Sequence, residues 1–427
     1  AAELYAAFLA EHPGDDACLH GLGYALLAQG EAEEALAHFE RIVDSMRKAE
    51  GVAAVAYETK GEDARETLES AREAADTAYP DTLLANLELL RGRYESAAAR
   101  LANATRDRFY YDWQYAKCLQ ALGQAYYRLS RNEQALDVFG RLGETTPAAR
   151  PLSASYVEKL RRIELDDATR DALRQQIREV AQAIEASDGP SPAEQDAWTS
   201  RPLRFFVLPP EAGNSRLAFE SGLADVLPLW LERALVENTH LRAVDRRDLD
   251  QALTEQELSA YLASEEGKLY LRKILTARLF IAADFYSVFG EDSVIVKITD
   301  TESSIKYTLE DMPLTRPFDR EAFVTKLRRG IWQKIAEEYP VRGKVSSANG
   351  RATIDIGEAV GVTEGMRFVV AARANAAFVM EGKAAVVDGV VESDTAPVRL
   401  EGFSADTIPS EGWYVIDETW YRQHGET

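Results

Sequence analysis

The strongest constraint on the fold of this chain is an internal repeat in its first third. Leu19, Leu22, Gly23 and Leu26, then Ala35, Phe39 and Ile42, fall mostly three or four residues apart in two runs separated by Gly30. That pattern predicts two amphipathic helices joined by a tight turn. The same register returns as Leu119, Leu122, Gly123, Tyr126, Ala135, Phe139, Leu142 and Pro147. A weaker copy lies between them at Leu84, Ala85, Gly92, Ala97, Leu101 and Ala104, and a degraded one at Ala53, Ala54, Tyr57 and Gly61. Small residues such as Gly23, Ala35, Gly123 and Ala135 let antiparallel helices approach closely, while Phe39 and Phe139 fill the gap to the next pair. All of these are structural residues, because one helix pair cannot bury its apolar face alone and must stack on its neighbours.

With Gly23 and Ala85 two units of about 31 residues apart, and Ala85 and Gly123 separated by about 38, the spacing straddles the period of about 34 of one helical repeat class. Over roughly residues 1–147 the chain resembles the tetratricopeptide (TPR) family. The resemblance implies that binding, if any, occurs on the concave face, at positions of the first helix of each pair between the packing residues. In this register they are His20, Tyr24, Leu27, Asn86, Leu89, Lys117, Gln120, Gln124, Tyr127 and Arg128. Amide, aromatic and cationic side chains together suit capture of an extended peptide or a helix. The competing expectation is an array that only packs against the rest of its own chain. A run of aromatics from Phe109 to Trp113 reads either as an interaction patch or as packing between repeats.

Tyr156, Leu160, Ile163, Leu173, Ile177, Val180 and Ile184 continue the helical period and predict helices that cap the array, giving a first domain over residues 1–187. Ser187-Asp188-Gly189-Pro190-Ser191-Pro192 breaks the pattern, and residues 188–202 read as a linker. The next segment, 203–340, predicts the order β-α-β-α-β-β-β-α, a mixed sheet with packed helices. Its strands are the apolar run ending at Leu208-Pro209, Leu241 to Asp245, Leu279 to Phe289, Ser293 to Thr299 and Ile305 to Leu309. The helices span about Ala218 to Glu237, a stretch from Arg246 that contains Leu249, Leu253, Leu258 and Leu262, and Asp319 to Glu338. Asp245-Arg246-Arg247-Asp248 reads as a capping cluster or as a charged contact.

Leu208-Pro209, Val244-Asp245-Arg246, Glu255-Gln256-Glu257-Leu258 and Ala282-Ala283-Asp284 give residues 201–340 a likeness to a periplasmic domain. This domain is shared by the curli secretion channel family, the TolB amino-terminal domain and the lipoprotein activators of penicillin-binding proteins. The resemblance implies an envelope protein that oligomerises or docks and needs no cofactor. One departure is the hairpin from Ser293 to Leu309, which carries Lys297, Asp300, Glu302 and Lys306 and is too short for a transmembrane hairpin.

From Val341 the chain becomes glycine-rich and β-branched, predicting a small β-barrel or sandwich over residues 341–427. Ile356-Gly357, Gly361-Val362 and Gly365-Met366 resemble the carboxy-terminal module of the flagellar T protein family, again periplasmic.

At 427 residues the chain is long enough for roughly three domains of about 150 residues each. Its formal net charge of -22 repels phosphate, which argues against nucleic acid and anionic lipid as partners and for basic, neutral or apolar protein partners, while a homo-oligomer is what the envelope resemblance implies. The same acidity also maintains solubility. Cys18 and Cys118 each fall in a predicted helix and read as free thiols. No run approaches the roughly 18 apolar residues of a membrane span. The first residues show no signal peptide, and a processed or lipidated form is compatible with this start.

Gly21-Leu22-Gly23 sits inside a helix and lacks the context of a dinucleotide site. His12, His20, His38, His240 and His424 show no zinc-ligand spacing, and no nucleophile-elbow motif is present. The sequence therefore predicts a TPR-like array, an α/β mixed-sheet domain and a small β-module in a non-enzymatic chain without cofactor or metal. The implied role is an envelope scaffold or adaptor, periplasmic and associated with the outer membrane. The alternatives are an activator of a peptidoglycan synthase and an accessory of an outer-membrane export or flagellar apparatus.

Overall fold

The computed structural model describes residues 2–163, 198–210, 215–244, 277–288, 291–300, 303, 305–348, 350–371, 379–409 and 412–424. Three units follow one another: a helical repeat array, a mixed-sheet domain and a closed β-barrel. The expected cluster Asp245–Asp248, the helix from Arg246, the helical continuation from Leu173 to Ile184 and the break at Ser187–Pro192 lie outside the described residues.

The array consists of α1 (Ala2–Glu11), α2 (Asp16–Gln29), α3 (Ala32–Glu40), α4 (Ser45–Lys60), α5 (Arg65–Ala74), α6 (Tyr79–Leu90), α7 (Tyr94–Ala104), α8 (Asp112–Arg128), α9 (Asn132–Thr145) and α10 (Arg150–Ile163). The pairs α2/α3, α4/α5, α6/α7 and α8/α9 correspond to the four copies in the sequence, the degraded one included. Phe39 is fully buried, and a Cβ at Gly23 or Gly51 would meet its ring at 2.6 or 2.2 Å. A Cβ at Gly123 would likewise meet Phe139 at 2.7 Å. The glycines thus exist to admit the phenylalanines. α10 caps the far end by stacking Tyr156 on Phe139, with centroids 3.9 Å apart and planes inclined by 7°.

The middle unit contains β1 (Arg204–Val207), α11 (Arg216–Glu220), α12 (Leu223–Asn238), β2 (Arg242–Ala243), β3 (Leu279–Val288), β4 (Glu291–Asp300), β5 (Lys306–Thr308), β6 (Met312–Pro313) and α13 (Arg320–Glu338). The sheet order is β2-β1-β3-β4-β5, with β6 also on β4. β1 is parallel to β2 and β3, and the remaining pairs are antiparallel. The core joins Phe205, Val207, Ile281, Phe285, Val296 and Ile298 of the sheet to Leu227, Leu231, Leu327 and Ile331 of the helices. Asp319 caps α13 by accepting from the Ala322 amide.

The single helix expected from about Ala218 to Glu237 is broken at Gly222, where φ is +75°. A Cβ there would also meet Leu152 of α10 at 2.8 Å, so glycine serves both the turn and the close approach to the array.

β7 (Arg342–Ala348), β8 (Arg351–Ile354), β9 (Arg367–Ala371), β10 (Val379–Val387), β11 (Ala396–Glu401) and β12 (Trp413–Asp417) close into a barrel in the order β10-β11-β8-β7-β12-β9. Val345, Ile354, Phe368, Val370, Ala385 and Val415 fill it. α14 (Glu418–His424) ties it to α13 through the Trp420 indole N–H, which donates to the Glu337 carbonyl at 2.7 Å. Gly361 lies against His240 of the middle unit, where a Cβ would meet the imidazole at 2.2 Å.

Candidate protein-interaction groove

The first helices of the pairs, α2, α4, α6 and α8, line the concave side of the array, and two different things happen along it. Over α8 and α10 the groove is filled by the middle unit. Phe219 of α11 and Val226 of α12 are buried within the apolar cluster of the array, beside Tyr156 and Leu160. The Gln120 amide donates to the Glu220 carbonyl at 2.6 Å and the Gln124 amide to the Phe219 carbonyl at 2.9 Å. These two side chains donate to carbonyls at the C-terminal end of α11, where helix ends leave acceptors to be satisfied; the Phe219 carbonyl also accepts from the Gly222 amide at 3.0 Å.

Asp225 is the polar centre of this half. It is 3% exposed, accepts from the Tyr156 hydroxyl at 2.6 Å, and pairs with the Arg128 guanidinium. Its backbone carbonyl accepts from the Lys159 ammonium at 2.9 Å. Burial, then the adjacent Asp225 charge, pushes the Tyr156 phenol well above its ordinary range. Trp230 adds a further tether, its indole N–H donating to Ser155 Oγ at 2.7 Å.

At the midpoint, four charges bridge the two units. Glu58 of α4 pairs with Arg216 and, at 2.8 Å, with Arg316 from the segment between β6 and α13. Glu220 faces both arginines at 3.6 and 3.7 Å and accepts from the Tyr57 hydroxyl. Burial pushes the Glu58 carboxyl up, but Arg216, Arg316 and Lys117 together pull it below its ordinary value. The arginines thus favour the ionised carboxylate.

Beyond these charges the groove is open. A cavity of about 400 Å³ is lined by Tyr5, Tyr24, Leu27, Tyr57, Tyr79, Leu83, Tyr111, Trp113, Lys117 and Arg316, among others. Its volume lies in the range of about 300–1,000 Å³ typical of ligand sites. The aromatic walls hold one another at edge-on angles: Tyr24 to Trp113 at 5.0 Å, and Tyr79 to Trp113 at 5.4 Å. The Lys117 ammonium lies 5.5 Å from the Trp113 ring centroid.

Behind this wall is a buried polar knot. Glu50, with no exposed surface, accepts from Tyr24 at 3.0 Å, from Gln114 at 2.7 Å and from Thr77. The His20 Nε2 lies 3.5 Å from Glu50, and its Nδ1 is 3.1 Å from the Tyr111 hydroxyl. Burial, reinforced by Arg47, drives the His20 imidazole down to about 3, so it is neutral. Burial raises the Glu50 carboxyl, with its three donors opposing. The knot fixes the aromatic wall rather than presenting charge to the groove.

The ten positions read from the sequence thus separate. Tyr24, Leu27 and Lys117 line the open cavity, and His20 braces it from behind. Gln120, Gln124 and Arg128 hold the middle unit. Tyr127 is buried beneath the Lys159 ammonium, 4.8 Å from its ring centroid, while Asn86 and Leu89 are buried in α6. The aromatic run Phe109–Trp113 packs between repeats, and its Tyr111 and Trp113 also line the cavity. Tyr5, Tyr57, Tyr79, Glu58 and Arg316 were not legible as site residues, since they meet only once the array curves and the middle unit docks.

Cys18 and Cys118 are free thiols, and burial pushes the latter up to about 12. Among the described residues no cluster of His, Cys, Asp or Glu could hold a metal ion, and no helix is long and apolar enough to cross a membrane. No family model matches the chain, and no curated protein matches it. A helical repeat joined to a closed barrel is an architecture suited to protein interaction, and the geometry of the groove carries the functional reading.

Proposed function

We propose that the chain is a non-catalytic scaffold or adaptor that captures a segment of another protein in the open half of its concave groove. The observation that carries this reading is the aromatic cavity of about 400 Å³ beside Lys117, which has no ion-pair partner among the described residues. The filled half supports it, because the same surface already grips a folded segment through apolar insertion and amide donors. Tyr24, Leu27 and Lys117 are the contacts we assign to the partner. The middle and barrel units would then dock into a larger assembly of a bacterial cell envelope, as the short motifs in residues 201–340 and 341–427 suggest.

A photo-crosslinking amino acid placed at position 117, compared with one at the exposed barrel position 390, tests both parts. The reading expects a discrete adduct with an envelope protein from position 117 alone. Equal, diffuse labelling from both positions, or recovery of the chain away from the envelope fraction, would sink it.

A further inference from the structure

The chemistry of the partner segment can be read from the groove itself. In the filled half, the occupant is an aromatic residue, Phe219, sunk among the array's apolar side chains, followed by an acidic one, Asp225, on the array's cation Arg128. The open half repeats those two elements without an occupant. Its walls are aromatic and aliphatic, and Lys117 is exposed on α8, the helix that also carries Arg128.

The polar groups that reach the cavity without a partner can all donate. Tyr79 is 3% exposed and lines the cavity, yet its hydroxyl has no hydrogen-bond partner among the described residues. The Trp113 indole N–H is likewise without one, as is the Lys117 ammonium. By contrast, Tyr24 and Tyr57 spend their hydroxyls on Glu50 and Glu220. These groups face an open cavity that water can reach, so an occupant that replaces this water must bring acceptors for them or leave them unpaired. Glu58, the one carboxylate on the lining, is already held by two arginines. The local excess is therefore cationic, within a chain of formal net charge -22.

We propose that the open half binds a protein segment carrying a bulky aromatic side chain for the cavity and, within about two helical turns, an aspartate or glutamate side chain for Lys117. This rests on the reading of the groove as a protein-binding surface and names its partner class. The chain's own residues 215–228 are the template for that segment, not its identity.

The test uses the full chain and fluorescently labelled, C-terminally amidated peptides read by anisotropy. The first copies residues 215–228; a second replaces its glutamate and aspartate by glutamine and asparagine; a third replaces its phenylalanine by alanine. The acidic peptide is expected to bind, the neutral one about five- to tenfold more weakly, and the alanine one about thirtyfold more weakly. Lys117→Glu should cost the acidic peptide about five- to tenfold and the neutral peptide less than about twofold. Since Lys117 is exposed, that variant keeps the fold. Tyr79→Phe, which removes only the unpartnered hydroxyl, should weaken the acidic peptide by about threefold.

Equal affinity of acidic and neutral peptides, or indifference to Lys117→Glu, overturns the inference while leaving peptide capture intact. Binding that is lost in Arg128→Ala but kept in Lys117→Glu overturns it too, because the peptide would then be replacing α11 and α12 in the filled half. If a randomised library of the same length yields no binder at all, the underlying reading of the groove fails with it.

Discussion

The two halves of the concave groove are built from the same kind of helices and differ in what covers them. Over α8 and α10 the tyrosine hydroxyl of Tyr156 meets a carboxylate and the cation Arg128 is paired, both through Asp225. In the open half, lined by α2, α4, α6 and the N-terminal part of α8, Tyr79 and Lys117 have no such partner among the described residues. One half stores stability and the other keeps its interactions unmade. A repeat array can divide its surface in this way because each helix pair depends mainly on its neighbours.

The comparison can be broken most severely at Phe219. Phe219→Ala should cost about 3–5 kcal/mol, the usual range for removing a buried phenylalanine, measured by denaturant unfolding. A loss below about 1 kcal/mol would mean that the filled half is not a packed interface.

The same chemical change in each half sharpens the contrast. Tyr156→Phe removes a hydrogen bond to a charged group and should cost about 1.5–3 kcal/mol, whereas Tyr79→Phe should change stability by less than about 0.5 kcal/mol. Equal losses would erase the distinction between the halves.

Acid should probe the knot behind the open half. His20 takes a proton near its ordinary value of 6.5 when unfolded and only near about 3 when folded. Its contribution is therefore fully present above pH 6.5 and declines as the pH falls toward 3, by at most about 1.4 kcal/mol per unit. Glu50, raised by burial, works in the opposite direction and softens the decline. Arg47, over the Tyr110 ring, and Asp44 are the nearby charges that tune it. Unfolding free energies at pH 7 and 5 should converge in His20→Leu relative to the wild type; an unchanged slope would remove His20 from the account.

The smallest effect is expected at the rim. Lys117→Glu should alter stability by less than about 0.5 kcal/mol, because no carboxylate within ion-pair distance among the described residues is lost. A larger destabilisation would show that Lys117 supports the array rather than a partner.

Much of the architecture was legible because periodicity reports local packing. Gly23 with Phe39 and Gly123 with Phe139 appear in the sequence as paired small and large residues, and the structure brings them into contact. The barrel and the long strands of the middle unit were equally visible through alternation and glycine turns. The two-residue β6 was not, because Met312-Pro313 is too short for a pattern to form. Nor was the break at Gly222, since apolar residues continue at helical spacing on both sides of it.

The occupation of the groove was the least legible feature. Phe219 and Val226 look like core residues of their own domain, and nothing in a helical period says that they turn outward into another unit. Glu50 reads as one acidic residue among 71 and becomes a buried acceptor only where three helices and a loop converge. The open cavity draws on residues from Tyr5 to Arg316, which only the assembled curvature brings together.

The most direct measurement is fluorine NMR of the full chain containing 5-fluorotryptophan, with Trp113 reporting on the open half and Trp230 on the filled half. Titration with the acidic peptide should shift the Trp113 resonance and leave Trp230 unmoved. A shift at Trp230, with Trp113 unchanged, would contradict the account by showing that the filled half is the one that exchanges.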